Sequence, residues 1–294
     1  MTDISPVKKM LDEYKCRTNE QRSAALREIV QELTLVGLSR TDFFSHAAFY
    51  GGTALRIFHG LERYSEDLDF SLEKPDASFS LNDYLPAVRD ELASWGFDMT
   101  VEQKKKANDR AIQSAFIKGG TLVHLVKIAS LEPPVSGIPP NSLLRVKLEI
   151  DTDPPGGAVF ETKYRLSPIP FAVRLYDTPS LFAGKVHALL CRKWKERVKG
   201  RDFFDYLWYL SNNIPLNLAH LEARMRQSGH WGAMPLRESN LRKMLEKRFS
   251  TVNFALAQED ALPFVRDSRA VDLWSAGFFI TVTRDRLAVI ASSG

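Results

Sequence analysis

The hydrophobic period of the chain changes once, near residue 176. Before that point, segments that alternate apolar and polar residues are interleaved with segments of helical spacing. From Thr178 almost to the end, the spacing is helical. Side chains two apart share a face of a strand, whereas those three or four apart share a face of a helix. The pattern therefore predicts an α+β protein. A first half of mixed sheet and flanking helices would span 1–176, and an all-α half, a helical bundle, would span 177–294.

Two alternating segments carry acids on their polar face. In "SEDLDFSL", Leu68, Phe70 and Leu72 fall on one side and Asp67, Asp69 and Ser71 on the other. In "SLLRVKLEIDTDPP", Val146, Leu148 and Ile150 oppose Arg145, Lys147, Glu149 and Asp151. Like charges held together on a half-buried face need a counter-ion. Hard divalent cations such as Mg²⁺ take carboxylate oxygens and keep waters that phosphate oxygens can replace. An Asp-x-Asp pair by itself is equally a solvated strand face.

What sharpens the reading is the segment just before Asp67. "FYGGTALRIFHGL" has a glycine turn at Gly51 and Gly52, a hydroxyl at Thr53 and then a helix of about two turns. Backbone N–H groups at such a turn can approach a phosphate, and Thr53 adds a hydroxyl. A phosphate site followed by a metal site is what a nucleoside triphosphate enzyme requires. No G-x-x-x-x-G-K-[ST] loop and no G-x-G-x-x-G fingerprint occurs. Two-metal nucleotidyl transfer calls for a further carboxylate to help deprotonate the attacking hydroxyl. Glu149 and Asp151 are both candidates, and Lys147 on the same face could meet a phosphate.

Elsewhere, residues 5–40 read as helical, "SLNDYLPAVRDELASWGFDMTVE" as a capped helix ended by Gly96 and followed by a strand, and "AIQSAFIKGG" with "TLVHLVKIAS" as a hairpin turning at Gly-Gly. The segment "SLFAGKVHALLCRKWKER" reads as one helix with Pro179 at its start, which sets Lys185, Leu189 and Arg192 on one face. Arg201, Asp202 and Asp205 then open another helix, where an early acid also suits the helix N-terminus. The basic run of Arg192, Lys193, Lys195, Arg197 and Lys199 is either a solvated loop or a path for nucleic-acid phosphates.

The bulk numbers admit this reading. The chain has 294 residues, 44% hydrophobic and 26% charged, with a formal net charge of +4 and a pI near 9.0. That balance tolerates a polyanionic partner. No apolar run reaches the roughly 18 residues of a membrane span, and the start lacks the apolar core of a secretory signal. Only Cys16 and Cys191 are present, too few and too far apart for a disulfide framework, so a reducing cytoplasm is the expected location.

Taken in order, "GGTALRIFHGLERYSEDLDFSL", "KLEID" and "LFAGKVHALLCRK…KGRDFFDYLWYL" resemble the AbiEii-type nucleotidyltransferase toxins. These are the toxin half of type IV toxin–antitoxin and abortive-infection systems, within the polymerase-beta-like nucleotidyltransferase superfamily. The resemblance spans roughly residues 45–210, and "LPFVRDSRAVDLWSAGFF" is similar to the family's tail. It implies that Gly52 and Thr53 lie at the phosphates, that Ser65 supplies a hydroxyl near the triphosphate, and that Asp67 and Asp69 hold metal. Glu149 would be the third acid, Lys185 the helix lysine on the phosphates, and Asp202 the acid of the R-D-x-x-D motif. Thr53 stands where the superfamily more often has serine. The resemblance further implies Mg²⁺ or Mn²⁺, an NTP substrate, an RNA acceptor of the tRNA kind, growth inhibition and a cognate antitoxin. A nucleotidyltransferase acting on a small molecule of the antibiotic type, or a non-catalytic nucleotide-binding protein, are the other classes such a chain could join.

Overall fold

A computed structural model of the chain describes residues 6–104, 111–121, 124, 141–192, 198–265 and 267–290. It divides into two compact units. One comprises residues 1–57, 65–154 and 162–175, and the other 58–64, 155–161 and 176–294. Two short segments from before residue 176 thus belong with the helical unit.

The first unit opens with helices α1 (Pro6–Glu13) and α2 (Asn19–Ser39). The helical stretch expected over residues 5–40 is broken between them, because Lys15 adopts positive φ and Thr18 caps α2. Thr18 Oγ1 accepts from Gln21 N–H while Gln21 Oε1 accepts from the Thr18 N–H, a reciprocal capping box. From Ala25 onward α2 is buried nearly all round, including Glu28, Gln31 and Glu32. These polar groups are satisfied internally. Glu28 accepts from Tyr14 and Arg56, Glu32 from Arg165, and Gln31 donates to the Ser65 carbonyl.

A short helix, α3 (Phe43–His46), leads into strand β1 (Ala47–Tyr50) and helix α4 (Gly51–His59). Strand β2 (Asp67–Leu72), helix α5 (Leu85–Ser94), and strands β3 (Thr100–Lys104), β4 (Ile112–Gly120) and β5 (Leu143–Asp151) follow. With β6 (Phe160–Arg165) and β7 (Phe171–Tyr176) they form a seven-stranded mixed sheet in the order β3-β4-β5-β2-β1-β7-β6. β2 lies between β1, which is antiparallel to it, and β5, which is parallel. Helix α2 packs on β5 and on α5. The approach to α5 is close, since a Cβ on Gly37 would stand 3.1 Å from the Val88 Cα.

Three expectations about this unit are corrected. The Gly-Gly turn after residue 118 does not form: Gly119 and Gly120 end β4 and pair with Leu144 and Leu143 of β5. Thr121 and His124 are helical, and the rest of 122–130 lies outside the described residues. A long antiparallel partner further along the chain outcompetes the local hairpin. Strands β6 and β7 lie between Asp151 and Thr178, a stretch for which the sequence pattern predicts no element. Ser71, expected on the polar face of β2, is buried and bonds the Leu72 carbonyl.

The second unit is helical. Helix α6 (Thr178–Cys191) is capped by Asp177, whose carboxylate accepts from the Ser180 N–H. It stops at Cys191, short of the expected Arg197, with Arg192 extended. Helices α7 (Gly200–Ser211), α8 (Leu218–Gln227), α9 (Glu238–Thr251), α10 (Phe254–Ala261) and α11 (Ala276–Arg286) complete it. Strands β8 (Leu216–Asn217) and β9 (Val289–Ile290) form a short parallel pair that the helical spacing conceals. The core is aromatic: Phe203, Tyr206, Phe249, Phe254 and Phe279 meet ring to ring. Gly200 lets α7 start flush on α10, since a Cβ there would overlap the Ala257 carbonyl oxygen. No described helix is long and apolar enough to cross a membrane.

Candidate active site

The acids of the first unit are brought together by strand register. In β2 and β5, Asp67 pairs with Lys147, Asp69 with Glu149, and Ser71 with Asp151. Glu149 is therefore the acid directly beside Asp69. Asp151 sits two residues further along and accepts from the Asp153 N–H at 3.0 Å. The cross-strand neighbours of Glu149 on its other side include Ser114, whose hydroxyl donates to Glu149 Oε1 at 3.1 Å. Lys147 Nζ lies 2.6 Å from the same oxygen. The Lys147 ammonium thus neutralises this carboxylate in the structure.

The glycines define the other side of the site. β1 pairs with β2 so that Tyr50 lies opposite Asp69, and Gly51 follows at once. Gly51 has φ +84°, a conformation that L side chains rarely adopt. A Cβ there would lie 2.6 Å from Asp69 Oδ2. The place of the missing side chain is thus filled by the carboxylate itself. Gly51 and Gly52 are the first residues of α4, so the glycines open that helix, with Gly52 and Thr53 N–H groups in its first turn. Such N–H groups have no partner within the helix.

Thr53 is fully buried, and its hydroxyl donates to the Asp67 carbonyl. Its action here is to brace the start of β2 against α4. Ser65 is held through its carbonyl, which accepts from Gln31 Nε2 at 3.2 Å.

The second unit holds a buried charge network of its own. Lys185 Nζ lies 2.8 Å from Asp202 Oδ1 and 2.7 Å from Asp205 Oδ2. Arg192 Nη1 reaches Asp202 Oδ2 at 2.8 Å. Arg63 meets Asp205 in a two-pronged pair, Nε to Oδ1 at 2.5 Å and Nη2 to Oδ2 at 2.6 Å. Burial by itself would push the Asp205 carboxyl up, but Arg63 and Lys185 outweigh it and hold the group below the usual carboxylate range. Burial likewise opposes the Lys185 ammonium, and Asp202 and Asp205 overcome it, so Lys185 stays protonated. Three cations face two anions, which leaves these five side chains with a net charge of +1.

Lys185 and Arg192 do not share a helical face, since α6 ends between them, yet both reach Asp202. Arg63 was not legible as a participant, because it stands 142 residues from Asp205 and has no periodic signal. Asp205, by contrast, is visible in the R-D-x-x-D spacing. Of the basic run, Arg192 and Lys199 are described. Lys193, Lys195 and Arg197 lie outside the described residues.

Comparison with known proteins agrees with this architecture. MenT4, a nucleotidyltransferase toxin from Mycobacterium tuberculosis H37Rv, is similar in structure with a TM-score of 0.55 at 16% identity, over 96% of this chain and 88% of that one. At that identity the likeness bears on the fold, and the fold is the α+β one described above. JHP933 from Helicobacter pylori aligns with a TM-score of 0.48 at 16% identity, over 89% of this chain and 90% of that one. No curated protein matches the sequence. The family model described as "Nucleotidyl transferase AbiEii toxin, Type IV TA system" matches residues 33–277, which include every glycine, acid and lysine of both clusters. The chain therefore belongs to the AbiEii family of nucleotidyl transferase toxins.

Proposed function

We propose that the chain transfers a nucleotide from an NTP to an RNA acceptor of the tRNA kind, using a divalent ion, Mg²⁺ or Mn²⁺, held by Asp67, Asp69 and Glu149. The observation that carries the reading is the register that sets Asp69 beside Glu149 on neighbouring strands. The donor set is all oxygen, which suits a hard divalent cation. A bound ion would replace the Lys147 ammonium against Glu149 and release that ammonium to the phosphates. When bound, the ion would neutralise charge on the phosphates and favour attack at phosphorus.

The residues of the chain do the remainder. Backbone N–H groups of Gly52 and Thr53, with Gly51 giving them access, would hold phosphate oxygens at the start of α4. Ser65 and Lys147 would add a hydroxyl and a charge. The acceptor hydroxyl oxygen bonds to the α-phosphorus, the bridging bond to the β-phosphate breaks, and pyrophosphate departs. The hydroxyl proton would pass to a carboxylate, with Glu149 as the proposed acceptor. Catalysis is then positioning and charge neutralisation rather than covalent chemistry.

Lys185 would supply positive charge to the polyphosphate, the role that the family resemblance implies for it. Asp202 and Asp205 act as positioning residues that keep the ammonium charged. The basic run from Arg192 to Lys199 would guide the RNA phosphates. A cognate antitoxin and action in the cytoplasm, with inhibition of translation and growth, belong to the same proposal.

The test is incubation of the full chain with each labelled NTP, Mg²⁺ and total cellular RNA. Label should become RNA-bound with one or more NTPs, and not with Asp69→Ala or in excess chelator. Label that never enters RNA, but enters a small molecule or nothing, would exclude the RNA acceptor.

A further inference from the structure

A group of metal-ligating side chains lies in the helical unit, apart from the acids of β2 and β5. His187 and Cys191 are four residues apart on α6, so one face presents both. His230 comes from the loop after α8. One ligand atom from each of the three lies within 4.8 Å of the others. Tetrahedral Zn²⁺, with bonds of about 2.0–2.3 Å, spaces its ligand atoms by roughly 3.3–3.6 Å. Closure therefore asks for movements of about 1 Å or less, within side-chain reach.

The local backbone makes this juxtaposition a fixed one. α8 ends in a Schellman turn with Gly229 at φ +72°. The His230 N–H donates to the Met225 carbonyl at 2.8 Å and the Gly229 N–H to the Arg226 carbonyl at 3.0 Å. The loop beyond is tied down as well. Arg226 donates to the Gly232 and Ala233 carbonyls, Trp231 Nε1 to the Met234 carbonyl, and the Leu236 N–H to Glu222. An exposed loop would not need so many bonds merely to connect two helices. The two imidazoles are oriented by one hydroxyl, since His187 Nε2 and His230 Nδ1 lie 2.9 Å and 3.0 Å from Ser228 Oγ.

We infer that His187, Cys191 and His230 form a Zn²⁺ site of two nitrogens and one sulfur, with the fourth position open to water at the exposed His230 edge. The donor set separates it from the oxygen-only acids of the nucleotidyl-transfer site, since thiolate and imidazole select a borderline-soft ion. Binding breaks the S–H bond, forms a metal–sulfur bond and releases the proton to water. Bound metal would tie α6 to the loop after α8, and so brace the helix that also carries Lys185. This inference stands independently of the RNA reading.

The experiment uses the full chain, stripped with chelator and titrated with Co²⁺ as a spectroscopic stand-in for Zn²⁺. The expected result is a thiolate-to-cobalt charge-transfer band with visible bands of tetrahedral Co²⁺, saturating near one equivalent and abolished by Zn²⁺. Cys191→Ser, His187→Ala and His230→Ala should each lose the charge-transfer band or weaken Co²⁺ binding at least about tenfold, and Asp69→Asn should keep it. Because His230 is exposed, His230→Ala should fold normally, and Zn²⁺ should raise the melting temperature of the wild type but not of this variant. Absence of the charge-transfer band in the wild type, its persistence in Cys191→Ser, unaltered Co²⁺ affinity in His230→Ala, or its loss in Asp69→Asn would each overturn the site.

Discussion

Asp69 occupies the space that a side chain on Gly51 would need. A Cβ at Gly51 would stand 2.6 Å from Asp69 Oδ2, and the backbone there has φ +84°. The glycine and the acid are thus one device: the backbone is bent and stripped so that a carboxylate can lie against it. Gly51→Ala should therefore lower nucleotidyl transfer at least about tenfold, a barrier increase of about 1.4 kcal/mol. It should also destabilise the fold by about 1–2 kcal/mol through the positive φ. Gly60→Ala is the control. Gly60 also has positive φ, at +75°, but nothing lies within 4 Å of its added Cβ. That variant should share the stability loss seen in denaturant unfolding and keep its transfer rate.

The acid cluster should behave as a metal site. Asp67→Asn, Asp69→Asn and Glu149→Gln should each reduce transfer by about 100-fold or more, since a metal ion contributes several kcal/mol of charge stabilisation. Their circular dichroism should match the wild type, because the side chains lie on a partly exposed strand face. Raising Mg²⁺ should partly rescue Glu149→Gln if its lesion is metal affinity. Asp151→Asn should be close to wild type, because Asp151 pairs with Ser71 rather than Asp69.

The Arg63–Asp205 pair should prove structural in the first instance. Removing one member leaves a buried charge unmatched, so Arg63→Met should lose about 3–5 kcal/mol of stability. The pH dependence follows from Asp205. Its folded-state pKa is depressed, so its contribution is fully present above the unfolded carboxyl value of about 3.9 and is lost as pH falls through the folded value. In Asp205→Asn that acid-dependent loss should vanish. The stability gap between wild type and variant should therefore narrow below about pH 4, as read by urea unfolding at a series of pH values.

The basic run should appear as salt dependence. If Lys193, Lys195 and Lys199 neutralise RNA phosphates, replacing all three by Gln should weaken binding and lower the slope of log affinity against log salt. The drop should be roughly 0.7 for each phosphate no longer neutralised on single-stranded RNA. NTP affinity should remain unchanged. An unaltered slope would place the RNA elsewhere on the protein.

Much of the first site was legible in the linear chain because strand alternation is local. In a strand, Asp67 and Asp69 share a face whatever that strand pairs with, and so do Lys147 and Glu149. The change of period near residue 176 likewise announced an α+β chain with a helical second half. Glycines at Gly51 and Gly52 marked a special backbone, although not that α4 would begin on them.

What tertiary structure decided was pairing. Nothing local says that β2 lies parallel to β5 with Asp69 against Glu149 and Ser71 against Asp151. Nor does anything local forbid the hairpin at Gly119 and Gly120, which yields because all nine residues of β4 find partners in β5. Arg63 reaches Asp205 across 142 residues, and His230 reaches His187 and Cys191 from another element. Within one element, sequence indicates which side chains share a face, because that depends on the backbone period, but not where the element stops, as Lys185 and Arg192 show. Which faces meet depends on buried area and register summed over the whole chain, and no short stretch contains that information.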